Sequence, residues 1–164
     1  MMSGSIVESP AKKMMRKAGL VLYLLYIGAL VYFLFFADWY DHAPGMQWEH
    51  RVNVMPFLEI RRSCRLIFER HVEGASLNLF GNVVGFLPVG FLPPVITRSM
   101  RKFHRVLLYG LFVSLIVELI QLITRAGRCD VDDVILNTTG CALGYLIFLI
   151  VDHVRIRAMS MRKP

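Results

Sequence analysis

Cysteine is scarce, at three residues in 164, and no two of Cys64, Cys129 and Cys141 stand at the spacing of a zinc site. The five histidines are scattered, and no Ser/His or Cys/His arrangement suggests an activated nucleophile. No metal and no other cofactor is therefore expected. Charge is sparse as well: Asp, Glu, Lys and Arg make up 19% of the chain, against 55% hydrophobic residues and a mean hydropathy of +0.51. That balance excludes an ordinary soluble domain of this length and points to a membrane protein. Internal repeats, low-complexity stretches and a second domain are absent. The net charge of +7 sits in short basic clusters beside apolar runs, which fits a membrane protein rather than a nucleic-acid binder.

What is present is a set of long apolar runs. A membrane helix needs about 20 mainly apolar residues, because hydrocarbon offers backbone groups no partner. Four runs predict spanning helices, at about 19–37, 78–97, 105–124 and 133–151. The first follows "KKMMRK" but is too long for a signal peptide, and Asp38, Trp39, Tyr40 and Asp41 after it make no cleavage site, so a retained helix is expected. The predicted organisation is a cytoplasmic basic N-terminus at 1–18, a transmembrane domain at 19–151 and a cytoplasmic basic tail at 152–164.

Orientation follows the cations. Lys12, Lys13, Arg16 and Lys17 precede the first run, and Arg98, Arg101, Lys102 and Arg105 join the second to the third. Arg155, Arg157, Arg162 and Lys163 end the chain, and only Glu8 and Asp152 oppose these three clusters. Both termini are therefore expected inside, in a multi-pass membrane protein.

The outer segment 38–77 still carries Arg51, Arg61, Arg62, Arg65 and Arg70. In "PFLEIRRSCRLIFERHV", Phe57, Ile60, Cys64, Ile67 and His71 follow helical spacing, with Arg61, Arg62, Arg65, Glu69 and Arg70 largely opposite them. This predicts an amphipathic helix. It could lie in the interface with its arginines at lipid phosphates, cover the outer mouth of the bundle, or bind an anionic ligand. Cys64 and Cys129 both map to this outer side, where a disulfide is possible, while Cys141 reads as a packing residue.

Polar residues gather at the same level. Glu118 and Gln121 are three apart on the third helix, Asn78 and Asn82 four apart on the second. Asp133, Asn137, Gly140 and Gly144 make one stripe on the fourth. All fall in the outer half of the membrane, whereas the inner halves are almost purely apolar, which leaves no continuous polar path for transport. A carboxyl such as Glu118 inside a membrane helix should face the bundle and find a partner, with Arg125 and Arg128 or the amides of Gln121, Asn82 and Asn137 as candidates. Gly81 with Gly85 and Gly140 with Gly144 are expected to bring helices close. Pro88, Gly90, Pro93 and Pro94 are expected to kink the second helix or end it early.

Four blocks, in order, are similar to the VanZ-like family of small bacterial integral membrane proteins: "NVMPF" (53–57), "NLFGNVVGFLPVGFLPP" (78–94), "ELIQL" (118–122) and "GRCDVDDVILNTTGCALGYL" (127–146). The family pattern is met by Asn82, Phe86, Pro88 and Gly90, then Glu118 and Gln121, then Arg128, Asp130, Asp133, Asn137, Gly140 and Gly144. Cys129 and Thr139 depart from it, and residues 58–77 match no family pattern. The resemblance implies an all-α fold of four transmembrane helices and a link to resistance to the glycopeptide antibiotic teicoplanin; it supplies no biochemical activity.

Three functional readings follow. The first is a non-enzymatic envelope module with an outer-leaflet polar pocket for a membrane lipid, a lipid-linked envelope precursor or a glycopeptide antibiotic. There Arg128, alone or with Arg125, would pair with phosphate or carboxylate, Asn78, Asn82, Gln121 and Asn137 would hydrogen-bond the ligand, and Glu118, Asp130 and Asp133 would orient the arginine or bind a cationic part of the ligand. The second is a membrane-embedded hydrolase or transferase on a lipid-linked precursor, with Glu118 as acid or base and Asp130 and Asp133 holding a divalent ion. The third is a structural or partner-binding bundle that its polar groups merely lock.

Overall fold

A computed structural model describes residues 10–36, 52–70, 73–124 and 128–161. Its elements are α1 (Pro10–Phe36), β1 (Val52–Asn53), α2 (Leu58–Arg70), α3 (Glu73–Ile96), α4 (Phe103–Thr124), β2 (Cys129–Asp130) and α5 (Val131–Ser160), with a 3-10 turn at Arg98–Arg101 between α3 and α4. The fold is all-α apart from two two-residue strands, and α1, α3, α4 and α5 are long and apolar enough to cross a membrane. The 22 residues of α4 span about 33 Å at 1.5 Å per residue, enough for the ~30 Å hydrocarbon layer.

Each spanning helix outruns its apolar run. α1 starts at Pro10, where a proline loses no helical hydrogen bond, and α5 continues to Ser160. The extension of α5 is tied down by Asp152, which takes Arg101 at 3.3 Å and Arg155 at 3.1 Å. Arg101 also lies over the Phe148 ring and receives the Tyr145 hydroxyl on its carbonyl. This cluster closes the end of the bundle where α3 passes into α4.

α3 and α5 run parallel, with α4 antiparallel to both. Their closest approach is at glycines: a Cβ on Gly140 would stand on the carbonyl of Val83, one on Gly144 on that of Leu87, and one on Gly90 on that of Cys141, all inside 3.0 Å. Small residues thus let two backbones touch, the usual source of attraction between helices in lipid. The expected step at Gly81 and Gly85 is not such a contact. Gly81 has nothing described within 4 Å of its would-be Cβ, and Gly85 meets only the tip of Leu30. Those two positions fall on the side of α3 turned away from α5. The core lies between α3, α4 and α5, around Phe86, Val89, Val106, Cys141, Tyr145 and Phe148.

Helix α3 runs through Pro88 and ends two residues beyond Pro94. Thr97 N–H closes its end on the Pro93 carbonyl at 2.9 Å. α1 lies on the outside of α3, held where Tyr26 donates to the Gly85 carbonyl and the Tyr23 and Tyr109 hydroxyls meet. Most of its remaining apolar side chains are exposed, as lipid-facing residues of a membrane helix are.

Candidate functional site

The start of α3, the end of α4 and the start of α5 meet at the end of the bundle that carries α2, and their polar side chains form one layer there. The acids of that layer are directed at N–H groups. Glu118, 4% exposed, accepts the backbone N–H of Asp130 at 2.8 Å. Among the described residues its partner is therefore a backbone amide at the turn into α5, not Arg128 and not a side-chain amide. A chain reversing direction at the membrane edge has backbone donors with no helical partner, and a buried carboxylate serves them.

Asp130 is the N-cap of α5, accepting Asp132 N–H and, at 2.9 Å, the Asn53 side-chain amide. Burial pushes its carboxyl above the ordinary range, against those two hydrogen bonds, which lower it. Asn53 and Asp130 also pair through their backbones as the short parallel bridge between β1 and β2. Asp133 takes the Asn82 amide at 2.6 Å and so joins α5 to α3.

The most connected acid is Asp132, 1% exposed. Its Oδ1 accepts Phe57 N–H; its Oδ2 accepts Glu59 N–H at 2.7 Å and Ile60 N–H at 3.1 Å. It therefore caps the N-terminus of α2 from more than seventy residues away in the chain. Helix α2 needs this. No Ser, Thr, Asp or Asn stands just before Leu58, and the residue there, Phe57, has φ 66°, a left-handed conformation that costs a bulky residue energy. A carboxylate at the positive end of a helix also gains from the helix dipole.

Held in this way, α2 lies on the end of the bundle. Ser63 is buried and Ile60, Cys64 and Ile67 are half-buried, whereas Arg61, Arg62, Arg65 and Phe68 face out. The half-buried face of α2 packs on α3 and α5, while its charged face remains open. Arg128 comes within 4.0 Å of Glu59 on α2 and is half-exposed. Cys64 and Cys129 are free thiols, and burial followed by the nearby Glu118 pushes the Cys129 thiol up, keeping it protonated.

Deeper in the bundle, Asn137 donates to the Ser114 hydroxyl at 3.0 Å, joining α5 to α4. Ser114, Glu118 and Gln121 form one buried stripe on α4. Among the described residues, two amide oxygens, Asn137 Oδ1 and Gln121 Oε1, are buried with no hydrogen-bond partner, as is Thr138 Oγ1. Among the described residues, no group of three or more His, Cys, Asp and Glu is placed to hold a metal ion.

Of the residues singled out from the sequence, Asn82, Glu118, Gln121, Arg128, Asp130, Asp133 and Asn137 all fall in or at the edge of this layer. The Asn78 side chain and Arg125 lie outside what the structure describes. Asp132, Asn53 and Ser114 were missed. A signal for Asp132 was available, since α2 lacks a cap of its own while "DVDD" offers an acid at each position of a helix start.

A sequence model of the VanZ/LLP1 family matches residues 20–152. The chain belongs to the VanZ-like family. Protein VanZ of Enterococcus faecium is 28% identical to it over 128 residues, covering 77% of this chain and 71% of that protein. No solved structure matches. Together with four helices of membrane-spanning character, the match makes this VanZ-like chain a multi-pass membrane protein. The polar layer, from Asn82 to Asn137, lies wholly within the family-matched region.

Proposed function

We propose that this VanZ-like protein is a non-enzymatic module of the bacterial inner membrane, with both termini inside and its α2 end at the outer leaflet. There the polar layer receives the head of a membrane amphiphile (a lipid, a lipid-linked envelope precursor or a lipoglycopeptide), and in doing so the protein lowers susceptibility to teicoplanin. The carrying observation is the pair of buried amide oxygens, Gln121 Oε1 and Asn137 Oδ1, left without donors among the described residues in a layer whose acids are otherwise matched. A buried acceptor with no donor costs about 1–3 kcal/mol, and an amphiphile head bearing N–H or O–H groups would repay it. Arg128, at the edge of the layer, suits a phosphate or carboxylate on the same molecule. The orientation is supported by Arg98, Arg101, Lys102, Arg105, Arg155 and Arg157, all at the opposite end.

A structural lock accounts for a different subset of the layer. Glu118, Asp130, Asp132 and Asp133 each fasten one element to another, and so act here as frame rather than as ligand contacts. The same pairing gives no support to the hydrolase or transferase reading, which needs a carboxylate aimed at a substrate or an ion. The test is teicoplanin susceptibility of a bacterial host expressing wild type, Gln121→Leu or Arg128→Gln at equal membrane levels. Protection should fall by at least fourfold in both variants. Unchanged protection in both would remove the ligand reading and leave the lock.

A further inference from the structure

The open face of α2 is a second charged surface, separate from the polar layer beneath it. Leu58, Arg61, Arg62, Arg65, Leu66 and Glu69 follow one another at spacings of three, one, three, one and three, a single stripe down the helix, and line a half-open groove of about 630 Å³. Three arginines against one glutamate make the groove cationic. Arg62 is engaged by Glu59 at 3.3 Å, whereas Arg61 and Arg65 form no ion pair among the described residues. Those two stand four apart on an exposed face, so their like charges repel and an anion between them relieves the repulsion. Guanidinium groups match phosphate with two parallel hydrogen bonds each. The flanks are apolar: Phe68 is 81% exposed and Phe57 55%, with Leu58 beside them. Only eight residues separate the end of α2 from the spanning part of α3 at Leu79, which sets this face at the membrane edge rather than out in water.

We propose that this face is a binding site for the phosphate of an anionic phospholipid, with Arg61 and Arg65 as the phosphate contacts and Leu58, Leu66 and Phe68 against the upper acyl chains. The occupant is a lipid, not a soluble anion, because the arginines are bordered by exposed leucine and phenylalanine at membrane level. The site does not depend on the polar layer taking a ligand.

The test uses the full-length protein in nanodiscs of phosphatidylcholine doped with a photoactivatable phosphatidylglycerol, with adducts mapped by peptide mass spectrometry. Adducts are expected on residues 57–70, and a photoactivatable phosphatidylcholine should give far fewer there. In Arg61→Gln/Arg65→Gln, the α2 adducts should fall by about 25-fold, since each arginine near an anionic surface contributes about fivefold. Adducts near Arg155 and Arg157 on α5 should be unchanged in the same molecules, which shows that the variant has folded and inserted. Arg61→Lys/Arg65→Lys should restore part of the yield. Equal α2 labelling by the two lipids, or equal labelling of wild type and the Gln variant, overturns the proposal. So does loss of α2 labelling on adding millimolar inorganic phosphate, which would make this a site for a soluble anion.

Discussion

Replacing Asp132 by alanine tests how the α2 end is assembled. One carboxylate, 1% exposed, holds three backbone N–H groups, those of Phe57, Glu59 and Ile60. A hydrogen bond to a charged group is worth ~1.5–3 kcal/mol. Loss of a helix cap alone costs ~1 kcal/mol, and the released donors gain water once α2 lifts. The three bonds share one acceptor and do not add fully, so the net loss in docking free energy is about 3–5 kcal/mol. The spanning helices keep their own contacts, among them Gly140 and Gly144 against the backbone of α3, so the loss should be local. At ~1.4 kcal/mol per factor of ten, amide hydrogen exchange at residues 57–60 should speed up by about two to three and a half orders of magnitude, while protection in α3, α4 and α5 stays within a factor of a few. Asp132→Asn keeps one acceptor oxygen and should fall between. Exchange at 57–60 as slow as in wild type would refute the reasoning, and so would an equal rise in all helices.

Further outcomes follow from the same geometry. Phe57→Gly removes the cost of a bulky residue at φ 66° while losing little buried surface, so α2 should stay docked and thermal stability in detergent should hold or rise by up to about 1 kcal/mol. Gly140→Ala, which pushes a Cβ into the Val83 carbonyl, should destabilise by about 1–3 kcal/mol or more, whereas Gly81→Ala should be neutral or better; thermal melts of the pair decide this. Asp130→Asn keeps the N-cap and removes a carboxyl whose folded pKa is raised. In wild type, the stability tied to the protonated acid is complete below about pH 3.9 and is lost as pH rises through the higher folded value. The variant's stability relative to wild type should therefore increase with pH across that window, and melts at stepped pH would show it.

The spanning helices were legible because hydrocarbon demands a long apolar run, and nothing else in the chain mimics one. Their ends were not, since Pro10 and the Asp152–Arg155 pair extend helices through polar sequence where hydropathy carries no signal. Which helix faces carry the polar residues was legible from helical spacing: Asn82 meets Asp133, and Glu118 and Gln121 share one buried stripe of α4. The partners were not, because spacing tells which face a residue occupies and not which backbone donor lies across from it. Spacing offers Glu118 the cations Arg125 and Arg128 and the amides of Gln121, Asn82 and Asn137, and Glu118 holds the backbone amide of Asp130; the role of Asp132 depends on a distant helix start. The glycines divide for the same reason. Gly81 and Gly85 have the same spacing as Gly140 and Gly144, and only the position of the neighbouring helix distinguishes them.

The most direct measurement is a pair of readings on Gln121→Leu, a near-isosteric change that removes one of the two unmatched buried amide oxygens. If the layer receives an amphiphile, the melting temperature in detergent should hold or rise, while teicoplanin protection falls in cells with equal amounts of protein in the membrane. A lower melting temperature with protection intact would contradict that account and make Gln121 part of the frame.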